Sequence, residues 1–356
     1  MPSRRKFLAS LAFVNLYPAS LWADLDQPRF LSAGLKDNRN FIFGIGNVGN
    51  ISFSVELPDR GHAAAIHPWV PLAVAFARRP GNFGFIINCL QGKIINKLVL
   101  PKGRHFYGHG VFSPDGRFLL TTENFFEKSI GLIGVWDSEK NYTRVAEYYS
   151  GGIGPHDIIY DQISRCFVVA NGGIETHPET GRVKLNIPFM EPNLTYLKFT
   201  GKIIKSISLG RDIFQNSIRH LSANKIGDLA FAMQWQGEKK NAPALLGLKR
   251  KDGQILLLKA PEIEHALMQG YAGSVTFSTD GSKIAISSPK SGIVQFFISS
   301  KGIYDSNFYA TDVCGLSSNE DWFVMTTGNG DIILHKKNHT KKIATNIAWD
   351  NHLIKI

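Results

Sequence analysis

The 356-residue chain has only three cysteines, Cys89, Cys166 and Cys314, and no Cys-x-x-Cys pair. That excludes a zinc ribbon and covalent haem attachment through Cys-x-x-Cys-His, and an odd count in strand-like surroundings points to buried free thiols. Helical periodicity is nearly absent. No Gly-x-Ser-x-Gly sits between a strand and a helix, and Ser113 and Ser278 precede turns, so a nucleophile elbow has no place to form. The chain is basic, with a formal charge of +11. Much of that excess lies in pairs near turns, Lys239-Lys240, Arg250-Lys251, Lys336-Lys337 and Lys341-Lys342. Lysines there protect strand edges. Without a nucleic-acid-binding motif or a basic stripe interleaved with aromatics, no nucleic-acid partner is expected.

With 44% hydrophobic and 11% aromatic residues, the chain can bury a large core. Two stretches disclose its repeat. Gly110-Val111-Phe112-Ser113-Pro114-Asp115-Gly116 followed by Arg117–Thr122 recurs as Val275–Gly281 followed by Ser282–Ser287. Each reads as strand, Asp-Gly turn and strand, because glycine accepts the positive φ of a hairpin turn. An outer strand pair follows, as at Phe83–Cys89 with Ile94–Leu100, Ile130–Trp136 with Val145–Tyr149, Leu194–Phe199 with Ile203–Leu209, and Ala244–Leu248 with Ile255–Lys259. Aligned strand starts fall at His62, His109, His156, His220, Ser274, Cys314 and His352, separated by 47, 47, 64, 54, 40 and 38 residues. Such spacing fits four-stranded blades. The sequence therefore predicts an all-β, seven-bladed β-propeller. Residues 29–60 supply three strands and His352–Ile356 one, so the C-terminal strand is expected to complete the N-terminal blade and close the ring.

Met1–Leu8 carries Arg4-Arg5-Lys6 ahead of a modest apolar stretch ending near Ala23, resembling a twin-arginine export signal. Residues 1–23 are expected to be a leader handled by the twin-arginine translocase, and 28–356 a single propeller domain in the periplasm. Loss of the leader would reduce the formal charge to +8. The other reading is an uncleaved membrane anchor, against which stand Asn15, Tyr17, Pro18 and a run shorter than the ~20 residues a span needs.

Propeller geometry gathers the loops entering the inner strands and the loops joining second to third strands on one face. The first class holds His62, His105, His109, His156, Arg219, His220, Tyr271 and His352. The second holds Arg78, Arg79, Glu123, Asn124, Asn171 through Arg182, Gln234 through Gln236, and Ser288 through Lys290. The segment Asn171–Asn193 exceeds the ~12–15 residues beyond which loops tend to be functional. Imidazoles converging with a carboxylate suit Fe, Cu or Zn, which makes His62, His109, His156, His177, His220, Glu123 and Glu175 candidate metal ligands. A channel on the order of 10 Å across cannot bring all seven strand starts to one ion at bonds near ~2 Å, so His62, His109 and His156 are the economical set. The alternative for each histidine is a hydrogen bond to a neighbouring blade's backbone. Arg78, Arg79, Arg182 and Arg219 present guanidinium forks suited to carboxylate or phosphate. With His105, Asn124, Asn171, Gln234 and Tyr271 they form the candidate ligand-binding set for an organic acid, a ferric chelate or a phosphorylated group. Alternatively, Arg78 or Arg219 pairs with Glu123, Glu175 or Asp157.

Several of these stretches, Gly61–Ala65, Ala75–Gly81, Arg104–Ser113, Thr122–Asn124, Gly154–His156, Val169–Pro178, Ser217–Leu221 and Trp349–His352, resemble the bacterial family catalogued as domain of unknown function 1513. The resemblance runs from about residue 28 to the C-terminus. It implies an exported propeller-like protein associated with iron uptake, with a periplasmic iron-uptake protein as possible partner, and it implies no established catalysis. The expected function is thus binding of a metal or metal chelate at a His/Arg face in support of iron acquisition. A metal-dependent hydrolase or oxidoreductase and a ligand-free interaction platform remain as alternatives.

Overall fold

The computed structural model describes residues 28–356, so the expected leader lies outside the described residues. The chain forms seven antiparallel four-stranded blades. Blade 1 comprises Gly61–Ile66, Leu72–Ala77, Gly84–Asn88 and Lys93–Lys97, and blade 2 Arg104–Phe112, Phe118–Phe125, Ile130–Asp137 and Thr143–Tyr149. Blade 3 comprises Pro155–Asp161, Cys166–Asn171, Asn193–Leu197 and Ile203–Ser208, and blade 4 Asn216–Ala223, Leu229–Trp235, Leu246–Lys249 and Ile255–Leu258. Blade 5 comprises Ser274–Phe277, Lys283–Ser288, Ile293–Ile298 and Ile303–Tyr309, and blade 6 Val313–Asn319, Trp322–Thr327, Asp331–Lys336 and His339–Ala344. Blade 7 joins both ends of the chain. Phe30–Lys36, Arg39–Ile45 and Ile51–Leu57 take the outer positions, while Ala348–Trp349 and Ile354–Lys355 pair antiparallel with Phe30–Lys36 at the inner one.

Burial follows strand position. Second strands such as Cys166–Asn171 are buried throughout because both faces pack on adjacent blades, whereas the outermost Thr143–Tyr149 alternates between exposed and half-buried residues. Lysines on the outermost Lys93–Lys97 and His339–Ala344 guard free edges. The apolar contacts lie between blades, as where Phe76 and Leu119 join Trp136.

The Asp-Gly turns have one design. Ser113 Oγ donates to Asp115 Oδ1 at 2.5 Å and accepts from Phe118 N at 2.9 Å, and Ser278 repeats this with Asp280 at 2.6 Å and Lys283 N at 2.9 Å. Gly116 and Gly281 take φ of 76° and 72°. Both serines are thereby committed to turn structure. A short α-helix, Glu262–Leu267, links blades 4 and 5 and places buried His265 with Nε2 3.0 Å from Ala242 O.

His67 shows what burial does to an imidazole here. Its Nδ1 accepts from Trp69 N and Val70 N, both at 3.1 Å, and burial pushes its pKa from 6.5 down to about 4. Between those values the unfolded chain binds more protons than the folded one, so stability contributed by His67 falls as pH drops from 6.5 to 4 and changes little below. Thermal melts across that window should show a shallower decline of Tm for His67→Asn than for the parent. Equal slopes would contradict this role.

Candidate functional site

Bulges at the inner strands build the site. Cross-strand register is interrupted between Gly61 and Ala64, Phe106 and Gly110, Pro155 and Asp157, and Ile218 and His220, the places where His62, His109, His156 and Arg219 occur. A bulge leaves a residue outside the ladder and re-aims its side chain. In blade 7, His352 occupies the gap between the two short C-terminal strands. Gly108 permits a close approach: its φ is 101°, and a Cβ there would lie 2.5 Å from His62 Cδ2.

Five buried imidazoles, His62, His109, His156, His220 and His352, meet in the channel, His220 from the first paired residue after its bulge. Ring centroids are 4.4 Å apart for His62 and His352, 4.7 Å for His109 and His352, 4.7 Å for His156 and His220, and 5.0 Å for His62 and His109. Two triads, His62/His109/His156 and His109/His220/His352, each offer ligand atoms within 4.8 Å of one another. His109 belongs to both. Its Nδ1 lies 3.1 Å from Asp157 Oδ1, and Asp157 Oδ2 accepts from Leu221 N at 2.9 Å. An Nδ1–H donated to Asp157 leaves the Nε2 lone pair free, and His109 Nε2 is buried without a partner. His62, His156 and His220 each have a partnerless buried Nδ1, while His62 Nε2 and His352 Nε2 lie 3.2 Å apart.

Burial first, and then neighbouring imidazoles and arginines, holds His62, His156 and His352 well below the ordinary histidine pKa. Burial, then His109, pushes His220 down to about 3. Against burial, which opposes ionisation, His109, His220 and the Leu221 amide hold the Asp157 carboxyl below its usual range. The arrangement is one carboxylate facing His109, beside four imidazoles whose charged form burial disfavours.

On one side of the cluster lies a cavity of about 210 Å³, lined by His62, His156 and His220 together with Arg78, Arg79, Arg182, Lys184, Arg219, Tyr107, Gln234, Gln236, Tyr271 and Asn351. Inner-strand starts and second-to-third-strand loops therefore share a face. The other side opens as a cavity of about 340 Å³ that includes His109, His220 and His352 but is walled largely by small and apolar inner-strand residues such as Ala64, Gly110, Ile158 and Leu221. The imidazoles separate two unlike chambers.

Arg219 is 4% exposed and its Nε has no partner. Burial, then the Arg79 charge, pushes its pKa down to about 9. Burial likewise lowers the Arg78 and Arg79 values. Arg78 Nη1 comes within only 3.7 Å of Asp350, whose carboxylate is engaged by Arg60 Nε.

Other sequence candidates stand elsewhere. Glu123 accepts from Arg144 Nη1 at 2.8 Å and Nη2 at 2.9 Å and from Thr121 Oγ1 at 2.6 Å, inside blade 2. Glu175 accepts from Ser129 Oγ at 2.5 Å, and His177 Nδ1 accepts from Glu179 N at 3.3 Å. None of the three belongs to either imidazole triad. His105 has Nε2 3.0 Å from Asn124 Nδ2 and Nδ1 3.0 Å from Phe106 O, and Asn124 Nδ2 also reaches Thr176 O at 3.0 Å. Asn171 Nδ2 donates to Ser150 O and Asn193 Oδ1, both at 2.9 Å. These residues brace the long loop. Nor do the proposed Arg78 or Arg219 pairings with Glu123, Glu175 or Asp157 form: those carboxylates serve Arg144, Ser129 and His109. Asp157, which the sequence offered as an arginine partner, orients His109 instead; of the residues absent from the sequence's candidate ligand sets, His352 completes a triad, and Lys184 and Tyr107 join the cavity wall. His352 shared the repeat position of the other histidines, which was the available signal.

Fold and site together define a seven-bladed propeller whose channel is closed by imidazoles beneath an arginine-lined cavity. The chain belongs to the family described as Protein of unknown function (DUF1513), which it matches over residues 55–356. No curated protein matches it. Among solved structures it resembles the Kuenenia stuttgartiensis hydrazine synthase with a TM-score of 0.58 and 12% identity, covering 94% of this chain and 99% of that one. At that identity the likeness concerns the fold alone.

Proposed function

We propose that this propeller is a binding protein that holds one transition-metal ion, Fe, Cu or Zn, in the imidazole cluster, as an exported periplasmic accessory of iron acquisition. The observation that carries the metal reading is His109: its Nδ1 faces Asp157 while its Nε2 lies buried and partnerless among four other imidazoles. Carboxylate–histidine pairs of this kind orient and strengthen metal-bound imidazoles. Burial of His62, His156, His220 and His352 also weakens the competition from protons for their nitrogens. Tetrahedral bonds of ~2.1 Å place ligand nitrogens about 3.4 Å apart, so the triads need only a modest inward movement from separations within 4.8 Å. Export rests on the paired arginines of the leader, and the iron context on the family resemblance.

The test is titration of chelator-stripped protein with Fe(II), Cu(II) and Zn(II), alongside elemental analysis of protein exported through its own leader. One equivalent of a tightly held metal is expected, with a rise in Tm that reflects a stabilisation of about 2.7 kcal/mol at a free-metal concentration a hundredfold above Kd. Failure of all three ions to bind in defined stoichiometry would sink the metal reading.

A further inference from the structure

The cavity beside the imidazoles has a wall that is electrostatically incomplete. Arg78, Arg79, Arg182, Lys184 and Arg219 all line it, and among the described residues no aspartate or glutamate does. The nearby carboxylate of Asp350 is already held by Arg60 and lies beyond hydrogen-bond distance of Arg78. Arg219 Nε and Arg79 Nη1 are buried and have no hydrogen-bond partner among the described residues. A buried guanidinium without an acceptor is costly, so a charge left in this state favours binding of a counter-charge. Arg79 is stacked toward the Tyr107 ring at 6.0 Å, which positions it without neutralising it.

We infer that this cavity is a seat for a small organic molecule bearing two or more separated anionic groups, carboxylate or phosphate. Size and placement argue against a single small anion. About 210 Å³ exceeds what acetate or inorganic phosphate would fill. The cations also converge from different blades: Arg78 and Arg79 follow the second strand of blade 1, Arg182 and Lys184 lie on the long loop of blade 3, and Arg219 is on the inner strand of blade 4. An organic di- or trianion can offer a separate charge to each of the three directions. Gln234, Tyr271 and Asn351 between the cations offer neutral groups for a hydroxyl or a linking chain. The seat consists of the protein's own cations, so it exists whether or not a metal fills the imidazole cluster below. It deepens the binding role proposed above, yet it stands or falls separately.

Isothermal titration of metal-stripped protein with citrate, succinate and 3-phosphoglycerate tests this, with acetate and inorganic phosphate as single-anion controls. At least one multiply charged probe is expected to bind tenfold or more tighter than either control, more weakly as salt rises, and with one site per chain. Citrate or succinate in front identifies a carboxylate seat, and 3-phosphoglycerate in front a phosphate-bearing one. Arg219→Gln should lower that affinity tenfold or more. Because a buried position can disturb folding, Arg182→Ala on the exposed part of the loop should give a smaller loss in a protein that melts like the parent. In His109→Ala, the anion should still bind. Controls that match the multivalent probes, no binding by any probe, or binding seen only after metal loading would each overturn the inference.

Discussion

His109→Ala should weaken metal binding by more than about 100-fold, because it removes the ligand shared by both triads. Loss of an orienting partner alone typically costs 10–100-fold in affinity, and loss of the ligand itself should cost more. Asp157→Asn retains an acceptor for His109 Nδ1 but removes the negative charge, so its expected loss is about 10-fold. His105→Ala and His177→Ala supply the contrast. Both nitrogens of His105 face Asn124 and Phe106, and His177 Nδ1 accepts from the Glu179 amide. Both variants should bind metal like the parent. Competition titrations against a chelator of known affinity would measure all four, with circular dichroism confirming the fold. Equal losses at His105 and His109 would mean that the channel cluster is not the metal centre.

The contrast between His109 and His105 also marks where sequence stops being informative. The two are four residues apart, both precede or occupy the same inner strand, and both looked like channel residues. A bulge separates their fates: His109 falls in the interrupted part of the ladder and faces the axis, whereas His105 is paired in register with Asn124. Strand number and blade count were legible because Asp-Gly turns and strand starts recur at blade-length spacing. A bulge's effect on side-chain direction has no comparable local signature. Glu123 shows a second limit. Its partner Arg144 is 21 residues away on the outermost strand of the same blade, and the pair fits because Gly134 lies between them: a Cβ there would fall 1.9 Å from Glu123 Oε1. That glycine reads as an unremarked strand residue until three strands are placed side by side. The Glu262–Leu267 helix escaped for a simpler reason, being six residues long and so too short to display a helical period.

Truncation after residue 347 should do the greatest damage to stability. Ala348–Trp349 and Ile354–Lys355 provide the inner pairing for Phe30–Lys36, and three further bonds, Asp350 N to Ala33 O at 2.9 Å, Ser32 Oγ to His352 O at 2.8 Å and Ile356 N to Arg29 O at 2.9 Å, fasten the same segment. Trp349 and Leu353 are buried with Phe30, Phe43 and Ile332, the Trp349 ring meeting Phe43 edge-on at 5.4 Å. Without them the innermost surviving strand of blade 7 has an open edge and an uncovered apolar flank. Trp349→Ala alone should cost about 3–5 kcal/mol, and the truncation more, enough to leave little cooperative unfolding in a calorimetric scan. The segment also delivers His352 to the imidazoles and Asp350 to Arg60 and Arg78, so closure and site assembly are one event. Adding a synthetic peptide of residues 346–356 should restore part of the transition and, with it, metal binding. A truncated chain that melts like the parent would show that the ring is held shut by something other than its C-terminal strand.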